Sequence, residues 1–133
     1  MKANELMIGD WVLYNETSQQ ILEISGIDDE VYLETDELVH QSEIQPIPLT
    51  PEILEKNGFK NGKLNVSPQY YLEDNGVFIG VTLKDIPDKH KGIDIAKGRL
   101  FFQLDVSRME EPLYIHQLQH ALKLCGINKD ILL

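Results

Sequence analysis

Ile44-Gln45-Pro46-Ile47-Pro48-Leu49-Thr50-Pro51-Glu52 divides this chain into two unlike halves. Proline has no backbone donor, so two of them at alternate positions end any strand that precedes them. A helix start comes directly after them. Thr50 can accept a backbone N–H as a cap, and Pro51 suits the first helical position, where its missing donor costs nothing. Glu52 complements the helix dipole. Ile53, Leu54 and Phe59 supply an apolar side, and Asn57-Gly58 ends the helix because both residues tolerate positive φ.

Upstream of the divide, the sequence reads as short strands. A turn at Ile8-Gly9-Asp10 leads into Trp11-Val12-Leu13-Tyr14. Gln20 to Ile24, Val31 to Thr35 and Leu38 to His40 come next, with polar turns about every ten residues. Val31 and Leu33 alternate with Tyr32 and Glu34, the period of a half-buried strand. Downstream, Asp74-Asn75-Gly76 is a hairpin signal, because Asn-Gly adopts the turn whose twist matches paired strands. Tyr70 to Leu72 leads into it and Val77 to Lys84 returns from it. Pro87 to Gly98 is polar, with Lys89, His90, Lys91 and Gly92, and is expected to be an exposed loop. Arg99 to Val106 is a further strand with Leu100, Phe102, Leu104 and Val106 on one face.

The last element is a helix. Glu110 and Glu111 lie near its expected start, Pro112 in its first turn and Gly126 at its end. Ile115, Leu118, Leu122 and Cys125 form an apolar stripe. His116, Gln119, His120 and Lys123 are expected on the opposite, solvated face. Ile131-Leu132-Leu133 should be docked, since three exposed apolar residues are costly.

Charge separates the halves further. Of the 133 residues, the first fifty hold one basic side chain, Lys2, against eleven acids, a balance of −10. The remainder holds eleven of each sign and sums to zero, so the net charge of −10 belongs to the opening half. Binding to phosphate backbones needs Lys and Arg, so that half is a poor nucleic-acid platform. Solubility and unpaired edges are the plainer explanation of the acids, and a surface for a basic protein partner is the sharper one. Cys125 is the only cysteine, which rules out an intrachain disulfide and points to the cytoplasm. No signal-peptide pattern or membrane-length apolar run occurs.

Chemistry-bearing constellations are sparse. His116 and His120 have the spacing of metal ligands on a helix, but a zinc protease helix would carry Glu where Gln117 stands and would need a third ligand. Cys125 sits at a helix end, the wrong place for a low-pKa nucleophile. The acid pairs Asp28-Asp29, Asp36-Glu37 and Glu110-Glu111 are adjacent rather than opposed across a cleft. No phosphate-binding glycine loop and no nucleophile elbow are present. No catalytic residue, metal or cofactor is therefore expected. Lys84, Lys89, His90, Lys91, Lys97, Arg99 and Arg108 could make a modest cationic surface, interleaved with Asp85, Asp88, Asp94 and Asp105.

Two resemblances attach to these residues. Ile8-Gly9-Asp10-Trp11-Val12 and the β-rich series after it resemble the first strand of SH3-like barrels. Separately, Lys2-x-Asn4-Glu5-Leu6-x-Ile8-Gly9-Asp10-Trp11-Val12, the Pro46 to Phe59 region and Tyr114-Ile115-His116-Gln117-Leu118-Gln119 resemble a family of small bacterial proteins without an assigned activity. Its members occur in chromosomes and in phage or mobile-element cargo. That resemblance implies a shared fold and no reaction type. The family commonly has Asn where this chain has His120, which weakens a metal site further.

The expected fold is α+β. A small SH3-like barrel or bent sheet spans residues 1–48, and a helix, hairpin, strand and helix occupy residues 49–133. The two either fold apart or share one core. The expected role is a non-enzymatic protein-interaction module, with an accessory protein of a phage or mobile element as one setting. Its binding residues would be Trp11, Tyr14 and Tyr32, with Glu30, Glu34 and Glu37, and with His116, Gln119 and His120 on the last helix. A nucleic-acid-associated regulator using residues 84–108 and an enzyme of unrecognised type are the alternatives.

Overall fold

The computed structural model describes residues 5–25, 27–62, 67–87, 89–106 and 111–133. Lys2, Asn4, Asp88, Arg108 and Glu110, named above from the sequence, lie outside them. The chain is broadly α+β, with most of its regular structure in strands. It folds as two compact units: Met1–Ile47 with Tyr114–His116, and Pro48–Leu113 with Gln117–Leu133.

The first unit is a curled, antiparallel half-barrel of five strands. These are β1 (Trp11–Tyr14), β2 (Thr17–Ile24), β3 (Glu30–Leu33), β4 (Leu38–His40) and β5 (Gln45–Pro46), in the order β4-β3-β2-β1-β5. Local chemistry sets each reversal. Asn15 and Glu16, both at positive φ, join β1 to β2, as a two-residue turn of matching twist requires. Asp36 at φ 64° closes the β3–β4 turn, where Asp36 N–H donates to the Leu33 carbonyl and Leu33 N–H to that of Glu37. The register shifts between Ile21 and Glu23, so Leu22 is an extra residue and the strand bends there. Before β1, the Asp10 carboxylate accepts from Met7 N–H at 2.9 Å, and Gly9 and Asp10 exchange backbone bonds with Ile21.

Alternation buries one face of this sheet. Leu6, Val12, Ile21, Val31, Leu33, Val39 and Ile44 form its core, with Tyr14 and Ile24 packed against it. Each such side chain contributes about 1.5–3 kcal/mol when fully buried.

The second unit opens with α1 (Pro51–Lys56), whose Thr50 Oγ1 accepts from Ile53 N–H at 3.3 Å. A five-stranded antiparallel meander comes next: β6 (Lys60–Asn61), β7 (Tyr70–Asp74), β8 (Val77–Thr82), β9 (Lys91–Lys97) and β10 (Leu100–Val106), in the order β10-β9-β8-β7-β6. Asn75 and Gly76 make the expected β7–β8 turn. The exposed loop expected over residues 87–98 is corrected, because β9 occupies most of it, paired on both sides. Ile93 and Ile95 are fully buried, while Asp94 and Ala96 alternate with them. Polar composition masked a central strand whose apolar face is only two residues long. β8 ends at Thr82, short of the expected Lys84. The buried Gln69 side chain takes over there, accepting from Leu83 and Lys84 N–H and donating to the Lys84 carbonyl.

α2 (Ile115–Leu124) starts later than Pro112. Leu113 is still extended, its carbonyl accepting from Leu49 N–H at 2.7 Å, so the helix can begin only after it. The tail is docked through Asn57. That amide donates to the Ile53 and Leu132 carbonyls and accepts from Leu132 N–H, while Ile131 is buried and Leu132 stays exposed.

Candidate interaction surface

The strand registers sort the expected binding residues onto two sides of the half-barrel. With Val12, Ile21, Val31 and Leu33 turned to the core, their neighbours turn outward. Trp11 lies opposite Gln20, and Gln20 exchanges bonds with Glu34, the residue just after β3. In the next row, Glu23 lies opposite Tyr32, which lies opposite Leu38. The extra residue of the bulge, Leu22, joins this row. Glu30 stands two residues before Tyr32 on the same face, opposite His40.

The outer face thus carries an apolar patch with an acidic border. Leu22, Tyr32 and Leu38 are 49%, 37% and 46% exposed, and Trp11 is half-buried beside them. Glu23, Glu30 and Glu34 surround the patch. No Lys or Arg occurs anywhere between Lys2 and Lys56, so nothing in this stretch other than His40 can offset those carboxylates. The backbone holds Glu34 in place, since its carboxylate accepts from Gln20 N–H at 2.9 Å.

Tyr14 belongs to the other side. It follows Val12 in parity, packs against the core and is half-buried. Its hydroxyl bonds to Glu37 and lies near Glu43. Burial raises the pKa of the phenol, and the Glu37 and Glu43 carboxylates push it further up. Glu37 therefore serves the rim around Tyr14 rather than the patch around Tyr32.

The α2 residues need correction. Of the four residues expected on a solvated face, Lys123 is exposed and His120 half-buried, whereas His116 and Gln119 are only 9% and 8% exposed. The buried arc of α2 is wider than its apolar stripe, so polar side chains at its margins are covered too. His116 stacks on Tyr114 with ring centroids 5.8 Å apart. Among the described residues, no three His, Cys, Asp or Glu side chains converge in a way that could hold a metal ion.

The basic set of the second unit is largely committed to local partners. Lys89 bridges Asp94 at 3.2 Å and Asp105 at 2.9 Å. Burial of its ammonium works against the charged form, yet the bonds to both carboxylates outweigh this and leave its pKa raised. Lys91 is buried and donates to the Glu111 carbonyl, and Lys97 donates to the Cys125 carbonyl. His90 lies 3.8 Å from Asp85. The Cys125 thiol is buried, and that burial raises its pKa against the weaker pull of Lys97.

The patch brings Tyr32, Glu30 and Glu34, named from the sequence, together with Leu22, Glu23 and Leu38, which were not. Leu38 was readable as the alternate partner of Val39. Glu23 was not, because the bulge reverses the parity that Ile21 sets. No protein-family model, curated protein or solved structure matches this chain. Among the described residues, no helix is long and apolar enough to cross a membrane.

Proposed function

We propose that this protein is a non-enzymatic interaction module whose half-barrel docks a basic, apolar-bearing segment of a partner protein. The observation that carries the reading is the cross-strand row Glu23–Tyr32–Leu38, widened by Leu22 and bordered by Glu30 and Glu34. Aromatic and aliphatic side chains anchor interfaces, and a surrounding charge of one sign selects the partner. A leucine or aromatic side chain of the partner would sit over Tyr32 and Leu38. Its lysines or arginines would meet the three glutamates. The curled five-stranded sheet with aromatics on its outer face supports an SH3-like description of this unit. A single buried cysteine suits a reducing cytoplasmic setting.

The nucleic-acid reading of residues 84–108 has less support. Lys89 is shared by two carboxylates and Lys91 is buried, so neither is placed to neutralise a phosphate.

Titration of the isotopically labelled protein with a short alternating Lys-Leu peptide tests the reading. Shifts are expected at the Glu23, Glu30, Tyr32 and Leu38 amides, with affinity falling as salt rises. Tyr32→Ala and the pair Glu23→Lys with Glu30→Lys should each weaken binding by about tenfold or more. Equal binding of a Glu-Leu peptide, or none at low salt, would remove the acidic patch as a docking site.

A further inference from the structure

Among the described residues, four strands edge the two sheets, and three of them are blunted. β4 has three residues, β5 has two including Pro46, and β6 has two beginning with Lys60. Short length, proline and lysine are the usual devices against edge pairing. β10 has none of these. It runs seven residues without proline, lysine or bulge and, among the described residues, pairs only with β9.

The hairpin geometry decides which backbone groups of β10 are free. Gly98-Arg99 is a two-residue turn with Gly98 at φ 59° and Arg99 not at positive φ, the pattern of a type II′ turn. Such a turn is closed by Lys97 and Leu100 exchanging both backbone bonds. Bonded pairs then alternate along the ladder, so Leu100, Phe102, Leu104 and Val106 spend their groups on β9. The Leu104 carbonyl indeed points at β9, directly at the place a Cβ on Gly92 would occupy. Phe101, Gln103 and Asp105 therefore direct their N–H and C=O groups outward.

The side chains on this edge are apolar. Phe101 is 63% and Leu100 51% exposed, and Phe102, Leu104 and Val106 are only half-buried. The charges at its two ends are opposite in sign. Arg99 stands at the start of the strand. Near its end, Lys89 faces both Asp94 and Asp105, and one lysine against two carboxylates leaves one negative charge over. Asp105 remains 43% exposed.

We propose that β10 pairs antiparallel with β10 of a second copy of this chain, joining two five-stranded sheets into one. Phe102 would lie opposite the partner's Phe102 on the two-fold axis. Leu100 would face the partner's Leu104, extending the apolar row, and Phe101 would exchange backbone bonds with the partner's Gln103. Arg99 would then meet the partner's Asp105, where the surplus negative charge lies, and symmetry makes this contact twice. An unrelated strand has no reason to offer both apolar spacing and that charge order, whereas a second copy has both by construction of the fold. The site is separate from the half-barrel patch, so either proposal can fail alone.

Sedimentation of the full chain from about 1 µM to a few hundred µM tests the pairing, since association of this kind depends on protomer concentration. The mass should climb from 15.2 kDa toward twice that value. Gln103→Pro removes an outward donor and leaves the β9 ladder intact, and Phe101→Lys places a charge on an exposed position. Each should weaken dimerisation by roughly tenfold or more, because it occurs twice in the interface. Arg99→Asp and Asp105→Arg should each weaken it, and the two together should restore it. At high concentration the Phe101, Gln103 and Asp105 amides should gain protection from hydrogen exchange. A chain monomeric throughout this range, a dimer indifferent to Gln103→Pro and Phe101→Lys, or charge exchange without recovery would overturn the proposal.

Discussion

Single side chains set the local chemistry of this protein, and Tyr14 shows how. A phenol at the sheet rim, half-buried and bonded to Glu37, holds its proton above the ordinary pKa of 10.0. Burial comes first among the causes and the neighbouring carboxylates second. The folded state thus keeps this proton to higher pH than the unfolded chain. Its contribution to stability is complete below about pH 10 and is lost as pH rises through the higher folded value. Ultraviolet titration should show one tyrosine ionising late, and Glu37→Gln should bring it back toward the rest. A Tyr14 that titrates with the other tyrosines would contradict the contact. None of this was legible in the sequence, where Tyr14 and Glu37 lie 23 positions apart and read as parts of one open surface.

At the scale of elements, β9 is the instructive strand. Its neighbours approach closely enough that a Cβ on Gly92 would run into the Leu104 carbonyl and lie 3.2 Å from the Asp105 Cα. Both obstacles are backbone, which cannot swing aside. Gly92→Ala should therefore cost about 2–3 kcal/mol, as overpacking of a rigid site does. Gly76→Ala offers the contrast. Nothing lies within 4 Å of its would-be Cβ, and only its φ of 79° resists, at about 1–2 kcal/mol. Chemical denaturation of the two variants should rank them in that order. Turns and caps were the readable part of these elements. Thr50, Pro51, Asn57-Gly58 and Asn75-Gly76 act within a few residues of themselves, and each behaves as its chemistry dictates. β9 was hidden because its core face amounts to Ile93 and Ile95 inside a charged segment. The later start of α2 was hidden because Leu113 is held extended by Leu49, which is remote in sequence.

Over the whole molecule, charge asymmetry is the controlling property. The net charge of −10 resides in the first fifty residues, most of them in the half-barrel. Like charges confined to one small unit repel, and salt screens them over about 10 Å at 0.1 M. The thermal midpoint should therefore rise with sodium chloride from low ionic strength, whereas binding of a basic peptide should weaken over the same range. A midpoint that falls with salt would mean that ion pairs such as Lys89 with Asp94 and Asp105 outweigh the repulsion.

The sequence by itself determined the α+β class, the start of α1 at Thr50-Pro51, the Asn75-Gly76 reversal and the excess of acids in the first fifty residues, because these arise from local dihedral preferences, capping and counts of charge. Only the tertiary structure decided which acids border an apolar patch, which cations are already neutralised, and which strand is left at an open edge. Those outcomes depend on register. A bulge at Leu22 or a pairing between β9 and β10 moves whole sets of side chains from one face to another, and no short-range pattern in the chain encodes that choice.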